Sequence, residues 1–105
     1  MKESDWKIFK KIKYGAIEKY CKISLVESKE VLSKKREKSQ ETYILLFKLL
    51  ENRDKTMQLL FDGHSRSKAL IQLLAIRSAG LADEKLLNKL SAEFWEATDP
   101  DRDNW

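Results

Sequence analysis

No proline interrupts the chain before Pro100, and its three glycines, Gly15, Gly63 and Gly80, stand far apart. These two residue types break helices most strongly, proline by removing a donor and clashing with the preceding turn, glycine through backbone entropy. A chain of 105 residues with so few breaks is free to build long helices. With 42% hydrophobic residues it is also too apolar to remain disordered, despite 36% charged residues. The expected fold is all-α: a small single-domain helical bundle, or irregular array of four to six helices, over residues 1–98, with an acidic C-terminal tail over 99–105.

The pattern along the chain supports that expectation. Ser4 is read as an N-cap, with Asp5 in the first turn facing the positive end of the helix dipole. At 100° per residue, Ile8, Phe9, Ile12, Ala16 and Tyr20 fall in an apolar stripe about 120° wide, and Gly15 marks either a weak point or a close packing contact. Residues 24–39 offer few apolar side chains and read as a thinly anchored helix ending in KKREK. The run QETYILLFKLL, at 40–50, would also suit a buried strand, but no second strand-like run is available to pair with it, so helix is preferred. ENRD at 51–54 reads as a break or a polar turn of a continuing helix. DGHS at 62–65 is a connection, with Gly63 in the left-handed position and Ser65 capping the next helix. That helix, RSKALIQLLAIRSA, is apolar almost all round from Ala69 to Ile76 and is expected at the centre of the core. Gly80 and Leu81 have the form of a Schellman ending. Asp83 then caps a final helix carrying Leu86, Leu87, Leu90 and Phe94.

Candidate chemistry is sparse. One cysteine, Cys21, rules out a disulfide within the chain or a Cys-rich zinc site, and suits a reducing cytoplasm. The single histidine, His64, lies between Asp62 and Ser65, but three groups in one tight turn rarely converge as a catalytic triad; a turn role is expected. There is no glycine-rich phosphate loop, no apolar run of membrane-spanning length, and no apolar signal-peptide core. The expectation is a cytoplasmic protein, not an enzyme, with no cofactor or metal.

Charge is distributed unevenly. Residues 1–38 carry twelve Lys or Arg against six Asp or Glu, and residues 39–105 carry nine against eleven. The last thirteen residues, EFWEATDPDRDNW, hold five acids and one arginine. Such polarity favours recognition of another macromolecule, and the first expectation is a protein partner occluded in the manner of an inhibitor, immunity protein or antitoxin. The candidate contacts are Lys10, Lys11, Lys34, Lys35 and Arg36 for an acidic cleft, Glu96, Asp99, Asp101 and Asp103 for a basic one, and Trp95 as an aromatic anchor. The alternative is a nucleic-acid-binding accessory protein using the lysine-rich N-terminal third, including Lys7, Lys13, Lys19, Lys22, Lys29 and Lys38. A helix-turn-helix at 73–90 is the weaker reading there, because acidic Asp83 and Glu84 open its second helix; a plain helical hairpin fits better.

The stretch DWKIFKKIKYG, at 5–15, resembles the opening of cationic amphipathic antimicrobial peptides of the cecropin type. That resemblance implies membrane-surface binding through Trp6 and Phe9. In context, Ile8, Phe9 and Ile12 are needed to cover the apolar helix at 69–76, so a membrane surface is the least favoured partner.

Overall fold

The computed structural model describes residues 1–102, over which the only regular elements are helices. Five helices follow in order: α1 (Glu3–Ser33), α2 (Ser39–Phe61), α3 (Arg66–Ser78), α4 (Glu84–Leu87) and α5 (Ala92–Ala97). The first two form a long antiparallel hairpin, and the other three pack around its open end. The run at 40–50 is helical, as preferred, and lies within α2.

Several expected boundaries differ. Ser4 is not the cap; the helix begins at Glu3 with Lys2 in the cap position, whose carbonyl accepts from the Trp6 amide. The segment at 24–33 continues α1 without interruption, and only residues 34–38 turn the chain. ENRD is the second of its two readings, a polar turn of a continuing helix. Arg53 donates to both carboxylate oxygens of Glu27, from Nε at 2.9 Å and from Nη2 at 2.5 Å, while the Tyr20 hydroxyl donates to the Arg53 carbonyl at 2.7 Å. Those contacts tie the middle of α2 to α1. Gly15 is exposed, and a Cβ there would meet nothing within 4 Å, so it is a weak point and not a packing contact.

The core sits at the open end of the hairpin. Phe9, Ile12 and Ala16 of α1 meet Ala69, Leu73 and Ile76 of α3, and Leu87, Leu90 and Phe94 close the other side. Helix α3 is therefore not buried all round: Leu70 is 42% and Ile71 71% exposed. Its end is the expected Schellman motif. Gly80 has φ of 70°, the Leu81 amide donates to the Ile76 carbonyl, and the Gly80 amide donates to the Arg77 carbonyl.

The expected single final helix is two short ones. Asp83 caps α4 by accepting from the Lys85 amide, and Ser91 restarts the helical path as the cap of α5, accepting from the Phe94 amide. The restart is fixed from a distance. Asp5, only 3% exposed, accepts from the Ser91 amide at 2.8 Å through Oδ1 and from the Ser91 hydroxyl at 2.6 Å through Oδ2. Its carboxylate thus joins the first turn of α1 to the start of α5, a long-range role beyond the dipole effect. Beyond α5, Asp99 and Pro100 open a tight turn in which the Arg102 amide donates to the Asp99 carbonyl and the Asp101 amide to Asp99 Oδ1.

Away from this core the hairpin projects as an arm made of roughly residues 20–33 and 39–53. At 1.5 Å per residue it is about 20 Å long. The radius of gyration, 17.0 Å, far exceeds the ~13 Å expected of a compact chain of this length.

Candidate functional site

The expected contact residues do not come together. Lys10 and Lys11 lie at the core end of α1, whereas Lys34, Lys35 and Arg36 lie in the turn at the arm's tip. Twenty-four residues of helix separate Lys10 from Lys34, about 36 Å at 1.5 Å per residue. Lys11, Lys34 and Lys35 are exposed, and the ammonium of Lys10 stands 5.8 Å from the Trp6 ring centroid. Arg36 is engaged structurally: Nη1 donates to the Val31 carbonyl at 2.6 Å, the Lys34 carbonyl at 3.4 Å and the Thr42 hydroxyl at 3.3 Å. It caps the end of α1, which has no basic residue in its last turn.

Lys13 also leaves the basic set. It is buried, and its ammonium donates to the Gly63 carbonyl at 2.7 Å and to Gln72 Oε1 at 3.2 Å, with His64 Nδ1 3.3 Å away. Burial pushes its pKa down, nearby Asp62 pulls it up, and Lys68 adds to the lowering. Gln72 completes the cluster by donating to the Asp62 and Gly63 carbonyls. His64 packs on Trp6 at 4.9 Å between ring centroids. The group holds the connection at 62–65 against α1 and α3.

On the acidic side, Trp95 is half-buried beneath Arg77, whose guanidinium lies 4.4 Å from the ring centroid and donates to the Trp95 carbonyl and the Thr98 hydroxyl. Phe94 beside it is buried, so the two adjacent aromatics divide as helical geometry requires. Glu96 and Asp101 are exposed, and Asp99 is half-buried in its turn. Asp103 and Trp105 lie outside the described residues.

What the sequence reading missed is the arm's surface. The seam between α1 and α2 contains Ser24 and Ser28, both buried, facing half-buried Thr42, Leu46 and Leu49. The two serine hydroxyls are spent on the carbonyls of Tyr20 and Ser24 in the preceding turn. Larger apolar side chains lie outside. Leu25 is 66%, Leu32 60%, Tyr43 72% and Phe47 56% exposed, and Leu50 is exposed beside them.

These residues share one side. At 100° per residue, Cys21, Leu25 and Leu32 fall within a sector of about 40° on α1, and Tyr43, Phe47 and Leu50 within about 60° on α2. In two antiparallel helices, sectors displaced in the same sense from the seam face the same way. Accordingly Cys21 and Leu25 line one groove with Leu50, Asp54 and Met57, with Tyr20, Ser24 and Arg53 in its floor. The opposite side of the arm exposes Ile23 and Leu45, with Val26 and Ile44 at its outer edge, and there they are interspersed with Glu27, Glu30, Glu41 and Asn52. The signal was present in the sequence as two apolar rows, but their outward direction depends on which row packs inside.

Among the described residues no three His, Cys, Asp or Glu side chains are grouped to hold a metal ion, and no helix is long and apolar enough to cross a membrane. The chain matches no protein-family model, no curated protein and no solved structure.

Proposed function

We propose that the chain is a non-enzymatic helical module that works by binding another protein, and that it docks through the apolar side of its projecting arm. The observation that supports this is the exposure of Leu25, Leu32, Tyr43 and Phe47 on one side of a hairpin whose seam is lined partly by serine and threonine. Apolar surface of this extent is a marker of interaction sites, since water contact with it is unfavourable and monomeric proteins keep such patches small. Occlusion is the mechanism: the arm covers or is covered by its partner. The lysines at the tip and the acids near α5 set approach and selectivity. An inhibitor, immunity or antitoxin-like role belongs to this class.

A photo-crosslinking residue at Phe47, with one at Ile71 as control, tests the proposal in cells. The expected result is a protein adduct from position 47 that disappears when Leu25 and Leu50 are both replaced by Glu. Absence of a protein adduct at 47, or equal adducts from both positions, would refute it.

A second reading has its own support. Lys7, Lys11, Lys22 and Lys29 fall within a sector of about 60° along α1, a ridge able to follow a phosphate backbone. Binding of labelled RNA or duplex DNA that steepens as salt is lowered is its expected sign; no binding at low salt rules it out.

A further inference from the structure

The geometry points to a second copy of this chain as the occupant of the arm's apolar side, the two arms forming an antiparallel four-helix bundle in which α1 of one copy lies against α2 of the other. This rests on the protein-binding reading and names its partner. Three observations carry it.

The first is spacing. On α1, Cys21, Leu25 and Leu32 stand four and seven residues apart, and on α2, Tyr43, Phe47, Leu50, Asp54 and Met57 alternate by steps of four and three. A 3,4 alternation is the repeat by which helices pack along their length at small crossing angles. Each helix therefore carries exposed apolar positions beside the row already used in the seam, with Asp54 the one charged member on α2. The two rows are also level with each other. Arg36 bonds Thr42 near the tip, Tyr20 bonds Arg53 at the base of the arm, and Leu25 and Leu50 share one groove between them.

The second is charge. The outer rim of the α1 row holds Lys22 and Lys29, while the α2 row carries Asp54 within it and Glu51, 3.9 Å from Lys55, at its rim. A two-fold axis along the arm brings Leu25 opposite the partner's Leu50 and Lys22 level with the partner's Glu51 and Asp54, with Lys29 about 10 Å farther toward the tip. A two-fold axis across the arm would set α1 against the partner's α1 and bring the lysines together. Complementarity selects the first arrangement.

The third is area. A compact monomer of 12.4 kDa is expected to expose about 6100 Å², and this chain exposes 7745 Å². The surplus is roughly 1600 Å² for one chain, and a standard association removes about 800 Å² from each partner. The arm's side, about 20 Å long and two helices wide, offers a projected footprint of roughly 450 Å². A footprint of that size suits a weak association, populated at the high end of the concentration range.

Sedimentation and light scattering on the full chain, from micromolar to millimolar concentration, test the inference. The expected mass at high concentration is twice the 12.4 kDa of one chain. Leu25→Glu with Leu50→Glu should raise the dissociation constant at least about 30-fold, with the helical circular dichroism retained because neither side chain is in the core. Lys22→Glu with Lys29→Glu should also give a monomer, as should Glu51→Lys with Asp54→Lys, and mixing those two charge-reversed proteins should give a heterodimer. A wild-type mass that stays at one chain throughout overturns the inference. If the Phe47 crosslink then joins a different protein, the protein-binding reading stands without it. A wild-type dimer insensitive to Lys22→Glu with Lys29→Glu overturns the pairing of α1 with the partner's α2.

Discussion

Replacing Asp5 by Ala should destabilise the protein more than its place in the first turn of a helix suggests. A surface acid near a helix N-terminus contributes about 0.3–1 kcal/mol through the dipole. Asp5 is 3% exposed and accepts two hydrogen bonds from Ser91, at 2.8 Å from the amide and 2.6 Å from the hydroxyl. Hydrogen bonds to a charged group contribute about 1.5–3 kcal/mol, and a buried donor left without a partner costs about 1–3 kcal/mol. Relaxation around Ser91 recovers part of this, so a loss of about 2–4 kcal/mol is expected for Asp5→Ala. For a domain near this size, 1 kcal/mol moves the melting temperature by about 4–8 °C, so the midpoint should fall by about 8–30 °C. Ser91→Ala keeps the amide bond and should cost about 1–2 kcal/mol, with a coupling of about 1–2 kcal/mol in the double-mutant cycle. Thermal unfolding followed at 222 nm measures all three variants, at one fixed protein concentration so that the self-association proposed above would contribute equally to each. If Asp5→Ala lies within about 0.5 kcal/mol of wild type, or the two substitutions add without coupling, Asp5 does not tie α1 to α5 as argued.

The two glycines in open space should respond in opposite directions. Gly15→Ala, inside α1, is expected to stabilise by about 0.5–1 kcal/mol, whereas Gly80→Ala, at φ of 70°, should cost about 1 kcal/mol; urea midpoints decide both. Glu27 predicts an acid response: its hydrogen bonds from Arg53 hold its pKa below 4.5, so the unfolded chain binds the proton more readily. Its contribution to stability is then present above 4.5 and lost as pH falls through the lower folded value, and Glu27→Gln should remove that part of the pH dependence of the urea midpoint. Arg36→Ala should free the carbonyls at the end of α1 and reduce hydrogen-exchange protection over residues 29–33 at the tip, leaving the core amides unchanged.

The local signals that were legible are those where one residue type does one job. Gly80 followed by Leu81 permits few endings other than the Schellman motif observed, and the apolar residues of 8–20 and 69–76 supplied most of the core. The misread places depend on distant contacts. Ser91 divides the last helical pattern because Asp5, eighty-six residues earlier, binds it. Glu51–Asp54, open between a break and a turn of a continuing helix, is the second because Glu27 and Tyr20 hold Arg53. Lys13 reads as one lysine among many until Gly63 and Gln72 are found around its ammonium. The charged residues chosen as contacts were legible as exposed in most cases, but composition carried no information on their separation along a rigid helix.

The ambiguity of the run QETYILLFKLL has a physical source that bears on function. A helix half-buried against one neighbour needs one apolar stripe, and this segment carries more apolar surface than one stripe holds. Its residues therefore suited a strand buried on both faces as well as a helix buried on two sides. In the single chain only one of those sides is met, by α1 through Leu46 and Leu49, and Tyr43, Phe47 and Leu50 are left in solvent. The same inequality appears across the hairpin, where Ser24 and Ser28 lie inside while Leu25 and Leu32 lie outside. Burying serine in preference to leucine is unfavourable for an isolated hairpin, since leucine gains about 1.5–3 kcal/mol on burial. A second arm laid on the exposed rows reverses that inequality, because the serines remain in the close-packed seam and the leucines and aromatic rings enter a second one. The excess of apolar residues in 40–50 is then accounted for by an interface as much as by the fold.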